Sequence, residues 1–162
     1  METSSAKPRT KDVARYQTFA KTRLPGPHAY TVLLCMDCFD FLTVIKAVQK
    51  GVPWKAFERL ARNMNLPHNQ IAEMIGVRRR TLARRKAQKR FQFQESDRLL
   101  RIVRVFARTL KLFDGDRDAA TEWLTHRSRH LGGATPLEYA RFDIGATEVE
   151  HLIGRIEHGV YM

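Results

Sequence analysis

Residues 66–88 read LPHNQIAEMIGVRRRTLARRKAQ, and the way this stretch must bend decides the fold. A helix-turn-helix needs a small residue midway along its first helix, where the second helix crosses close by. Ala72 supplies it. Four residues on, the corner must accept a positive φ, which glycine does at no steric cost, and Gly76 stands there. Ile71, Ile75, Val77 and Leu82 flank the corner at positions that can hold both helices to a core. The second helix carries Arg78, Arg79, Arg80, Thr81, Arg84 and Arg85. Arginine suits a recognition helix because its planar fork can bond guanine O6 and N7 together. Gln70, near the start of the first helix, is placed to reach a phosphate. One departure stands out. Arg85 occupies a late position that usually holds an apolar residue. The plain alternative is a solvated charged helical hairpin, but the Ala72–Gly76 spacing favours double-stranded DNA. Single-stranded RNA would call for aromatic platforms among the arginines, and there are none.

The charge distribution agrees. The chain has 162 residues with a net charge of +12. Residues 1–65 carry +6, residues 66–94 carry +7, and residues 95–162 carry −1. A basic head of 29 residues therefore precedes a near-neutral module, and the last 49 residues hold 5 basic against 9 acidic groups. This pattern implies a polyanion at the head and a different partner at the tail.

Working outward, the apolar spacing is helical. Tyr30–Met36 reads as a short strand or the lead-in to a helix. Phe39, Leu42, Ile45 and Val48 predict an apolar face with Asp37 as N-cap. Pro53 opens a helix with Trp54, Phe57, Leu60, Ala61 and Met64 on one side. Ser96 is expected to cap a long helix carrying Leu99, Leu100, Val103, Phe106, Leu110 and Phe113, closed by Asp114-Gly115. Asp116 starts another helix. Thr135-Pro136-Leu137-Glu138 is a capping box with proline in the first turn. Asp143 is expected to cap the last helix, with Val149, Leu152, Ile153 and Ile156 as its stripe and Gly159 at its end. Residues 1–29, rich in Lys, Arg, Ser and Thr, read as a mostly disordered arm. The expected fold class is all-α: a flexible basic arm and lead-in over 1–36, a helix-turn-helix domain over 37–94, and a second helical domain over 95–162.

No apolar run reaches membrane-spanning length, and the N-terminus has no secretory h-region. Two cysteines cannot form a disulfide framework, so a reducing cytoplasm is expected. Cys35 and Cys38 lack a second ligand pair for zinc, and His126 and His130 alone make a poor metal site. Asp114, Asp116 and Asp118 fail the calcium-loop pattern. No nucleophile triad, Walker loop or dinucleotide glycine motif is present. Neither metal, cofactor nor enzymatic activity is expected.

Three motifs carry a resemblance. These are Gly133-Ala134-Thr135-Pro136-Leu137, the run Gly145 to Gly159 (GATEVEHLIGRIEHG), and Gly76 to Lys86 (GVRRRTLARRK). Over residues 37–161 the chain strongly resembles the Xre–MbcA–ParS antitoxin family, although Arg78 stands where that family often has a serine cap. The resemblance implies an Xre-like helix-turn-helix domain followed by a small toxin-binding domain. It implies a type II toxin–antitoxin system whose toxin is a RES-domain protein that consumes NAD⁺. The antitoxin would cover the toxin's active site and repress its own operon. Toxin contact is expected from the polar and terminal residues of the last run: Glu148, Glu150, Arg155, Glu157, His158, Val160 and Tyr161. A homodimer on a two-fold operator is expected, since one such motif reads DNA weakly. A second reading is a plain helix-turn-helix regulator whose C-terminal helices only dimerise it.

Overall fold

A computed structural model describes residues 9–22 and 26–160. Among these, the helices are α1 (Lys11–Thr22), α2 (Phe41–Lys50), α3 (Trp54–Met64), α4 (His68–Met74), α5 (Arg79–Gln88), α6 (Phe93–Leu112), α7 (Arg117–Thr125), α8 (Pro136–Tyr139) and α9 (Asp143–Glu157). Two 3-10 turns, Ala29–Leu34 and Arg129–Leu131, complete them. The described residues form no strand beyond one isolated bridge between Pro53 and Arg90. The fold is all-α.

Helix α6 is the spine. Its 20 residues bury Leu99, Leu100, Ile102, Val103, Val105, Phe106 and Leu110. It packs against α1, α2, α3, α7, α9 and the first 3-10 turn. An apolar stripe serves a helix with one buried side; α6 is apolar over much more of its girth and is covered from several sides. The expected boundary at residues 94/95 therefore falls at the start of a helix whose core is common to both halves.

The N-terminal expectation is corrected. Residues 11–22 form α1, with Val13 and Tyr16 buried. The first 3-10 turn sends Val32, Leu33 and Leu34 into the core, each at most 1% exposed. The lock is polar. Arg59 donates two hydrogen bonds to Asp12, at 2.8 and 3.1 Å, and Asn63 Nδ2 donates to Asp12 at 3.0 Å and to the Leu33 carbonyl at 2.8 Å. Burial alone would raise the Asp12 pKa. The Arg59 and Asn63 hydrogen bonds outweigh it and hold the carboxyl below its ordinary value.

The helix ends also differ from expectation. Helix α2 is capped by Asp40, whose carboxylate accepts from Thr43 N–H at 2.9 Å, not by Asp37. It buries Val44 and Val48 and leaves Phe41, Leu42 and Ile45 exposed, so the expected Leu42 and Ile45 face points outward. Helix α6 starts at Phe93, after Gln92. Ser96 lies buried inside it, and its Oγ accepts from Val52 N–H at 2.8 Å. Asp143 is the first residue of α9, after Phe142, and not its cap. Asp116 does cap α7, accepting from Asp118 and Ala119 N–H, and the Thr135–Glu138 capping box forms.

Candidate DNA and toxin contact surfaces

Helices α4 and α5 meet at the expected corner. Ala72 is buried, Gly76 has φ 71°, and Ile71, Ile75, Val77 and Leu82 are all in the core. A Cβ on Gly76 would stand 3.0 Å from Arg98 Nη1, which donates to the Ile75 carbonyl at 3.2 Å. A guanidinium from α6 thus staples the turn that aims the recognition helix.

Arg78, Arg79, Arg80 and Arg84 are exposed on α5 and its N-terminal edge. Thr81 and Gln70 are half-buried beside them. Among the described residues these four arginines form no ion pair, so their charge is free for phosphates or base edges. Lys86 and Lys89 are exposed at the same helix's end and were missed as contact candidates; their late place in the run was the available signal.

Arg85 is corrected. Its side chain is 3% exposed and cannot reach DNA. Nε donates to Glu95 Oε2 at 2.7 Å and Nη2 to Oε1 at 2.8 Å, a two-pronged pair between α5 and α6. Nη1 donates to Gln88 Oε1 at 3.0 Å. Glu95 Oε2 also accepts from Gln92 N–H at 2.9 Å. Burial would raise the Glu95 pKa, but the hydrogen bonds from Arg85 and Gln92 prevail and hold it below its ordinary value. A charged residue at a usually apolar position thus fills the core with its own counter-ion.

The C-terminal candidates divide by face. Helix α9 buries Ala146, Val149, Leu152 and Ile153 against the rest of the molecule. Along its seam with α6 runs an ion-pair ladder: Arg101–Asp143 at 3.5 Å, Arg104–Glu150 at 2.7 Å and Arg108–Glu157 at 3.7 Å. The pairs occur in the same order on both helices. Arg101 to Arg108 spans about 10 Å of helix and Asp143 to Glu157 about 21 Å, so the middle pair is close and the outer two are stretched. Glu150, and in part Glu157, are thereby engaged in holding α9 in place. Glu148 faces outward, bonded to Arg155 Nη2 at 3.0 Å; that bond leads in lowering its pKa. His158 and Val160 are exposed, and Tyr161 lies outside the described residues. Sequence reasoning missed Phe142 and Ile144, which are 62% and 83% exposed.

Among the described residues no group of three or more His, Cys, Asp or Glu could hold a metal ion. None of their helices is long and apolar enough to cross a membrane.

This arrangement defines a helix-turn-helix protein joined through one long helix to a second docking module. Residues 43–104 match the family model described as the antitoxin Xre-like helix-turn-helix domain. Residues 110–159 match the antitoxin Xre/MbcA/ParS C-terminal toxin-binding domain. The chain is similar to an Antitoxin Xre of Photorhabdus laumondii subsp. laumondii, 34% identical over 114 residues, which is 70% of this chain and 77% of that protein. It is also similar to an Antitoxin Xre of Yersinia enterocolitica serotype O:8, 32% identical over 119 residues, 73% of this chain and 80% of that one. The chain belongs to the Xre antitoxin family. It is a type II antitoxin with a DNA-binding and a toxin-binding domain, and not an enzyme.

Proposed function

We propose that this chain acts in the bacterial cytoplasm, neutralises a RES-domain toxin that consumes NAD⁺, and represses its own operon. The observation that carries this reading is the pairing of two unlike surfaces on one body. One is the set of unpaired arginines on α5; the other is the acidic C-terminal segment on α7 to α9. A cleft that binds a dinucleotide must attract phosphates and is therefore cationic; residues 114–162 hold 9 acidic against 5 basic groups, and while Asp143, Glu150 and Glu157 are paired with α6 arginines, the exposed Asp114, Asp116, Glu122 and Glu138 complement it. Arg78, Arg79, Arg80 and Arg84, with Gln70 and Thr81, read the operator. Glu148, Arg155, His158, Val160 and Tyr161 contribute to toxin contact. A second copy covers the outward face of α2, where Phe41, Leu42 and Ile45 are exposed. That face lies on the same body as α5, so two-fold pairing through it brings a second recognition helix to the DNA.

The test is co-expression with the toxin encoded with this chain, following growth and cellular NAD⁺. The toxin alone is expected to deplete NAD⁺ and arrest growth, and this chain to restore both. Depletion that continues despite a stable complex, or a toxin that leaves NAD⁺ untouched, would overturn the reading.

A further inference from the structure

The α8–α9 corner is built to display apolar surface. Gly145 sits in the first turn of α9, buried against α8; a Cβ there would lie 2.1 Å from the Tyr139 carbonyl oxygen. Only glycine allows the two helices to close so tightly. Phe142 and Ile144, beside this closure, lie outside the core. Ile144 is 83% exposed, the highest of the large apolar side chains outside the core among the described residues. A β-branched residue on an exposed helical turn serves neither helix propensity nor packing. Tyr139, Phe142, Ile144, Glu148 and His151 border a shallow groove of about 530 Å³. Thr147, Glu148 and His151 continue the outward face of α9 from Ile144, at three, four and seven residues on, and Arg155 extends it.

We infer that this corner is the apolar anchor of the toxin interface, with Phe142 and Ile144 at its centre and Asp143 and Glu148 on its rim. The inference rests on the reading of the chain as an antitoxin to a toxin encoded with it. Its place in the chain favours the toxin over a second copy. The corner lies inside residues 110–159, which match a toxin-binding domain, whereas the α2 patch lies in the DNA-binding half. Its carboxylates are exposed, Asp143 by 80% and Glu148 by 48%, and each meets an arginine of this chain, Arg101 and Arg155, so the rim is polar and mixed in charge. Arg141 places its guanidinium over the Phe142 ring, 5.9 Å from the ring centroid. Exposed aromatic and aliphatic anchors surrounded by polar groups are what interface hot spots require.

The experiment uses the full chain and the toxin encoded with it. A benzophenone amino acid replaces Ile144 in one preparation and Leu42 in another, and each complex is irradiated. Separately, Ile144→Arg is titrated with the toxin. The expected result is an adduct of chain plus toxin from position 144, and a loss of toxin affinity of about 100-fold in Ile144→Arg. Operator affinity and melting temperature should stay unchanged, since the side chain touches little of the fold. An adduct between two copies of this chain from position 144 would overturn the inference, as would unweakened toxin binding by Ile144→Arg. A toxin that crosslinks at 144 yet leaves NAD⁺ intact would leave the anchor standing and sink only the RES assignment.

Discussion

At the scale of single residues, Arg85 is the most informative. Charge in a basic recognition helix reads as DNA contact, and four exposed arginines around it, Arg78, Arg79, Arg80 and Arg84, are open to that reading. What separates Arg85 from Arg84 is a partner ten residues away, Glu95, which local pattern alone does not pair with it. The departure from the apolar pattern was legible in the sequence; its cause was a tertiary ion pair. The pair is buried, so removing one member leaves an uncompensated charge. Arg85→Ala is expected to destabilise the chain by about 3 kcal/mol, read from the midpoint of urea unfolding. Arg85→Met, which fills the same space, should also destabilise while Glu95 stays charged. Combined with Glu95→Gln or Glu95→Leu it should recover much of the loss. The pH dependence has a definite sign. Glu95 and Asp12 have folded-state pKa values below their ordinary 4.5 and 3.8. Their stabilisation is complete above those ordinary values and is lost as pH falls through the lowered ones. Wild type should therefore weaken in acid below about pH 4, and Arg85→Ala should show a flatter acid limb. An unchanged acid limb in the variant would show that the pair is not linked to folding.

At the scale of elements, the recognition helix shows what charge patterning can and cannot give. The corner was readable because it rests on backbone geometry: a small residue, a glycine at φ 71°, and apolar flanks. The α2 face was misread because its apolar residues occupy more than one face, and periodicity does not say which is turned inward. The core took Val44 and Val48 and left Leu42 and Ile45 outside. α1 was missed for another reason: much of its anchorage is the Asp12–Arg59–Asn63 network, whose members are polar and some fifty residues apart. On α5 the exposed arginines permit a direct test. Arg79→Ala with Arg84→Ala should weaken operator binding by about 1–3 kcal/mol for each base-contacting side chain, and should flatten the salt dependence by about one charge for each phosphate contact. Toxin affinity should be unaffected, because both side chains lie outside residues 110–159, which match the toxin-binding domain. Gel-shift titrations at two salt concentrations, paired with toxin binding by calorimetry, separate the outcomes. Equal operator affinity at physiological salt would mean that α5 is not the reading element.

At the scale of the whole molecule, a cut at residue 94 looks natural in the sequence because charge changes there, from +7 over residues 66–94 to −1 beyond. Charge tracks partners, not cores. The hydrophobic core is one cluster running from Val13 to Ile153, and α6 supplies its middle. A fragment of residues 37–94 would lose the α6 side chains Leu99, Leu100, Ile102, Val103, Val105, Phe106 and Leu110, and with them the surface on which Val44 and Val48 pack. At about 1.5–3 kcal/mol for each buried side chain, that loss is as large as the whole stability of a domain this size, about 5–15 kcal/mol. The fragment is therefore expected to give little helical signal by circular dichroism, no cooperative thermal transition and no operator binding, although it holds every arginine of the recognition helix. The full chain should unfold in one transition that coincides when followed by helicity and by the fluorescence of Trp54 and Trp123, one in each half. The same coupling reaches function. Arg98 from α6 staples the Gly76 turn, while Arg101, Arg104 and Arg108 of the same helix hold α9. A fragment that folded and bound operator, or two separate transitions in the full chain, would mean that the DNA-reading and toxin-binding halves are independent bodies and not two faces of one core.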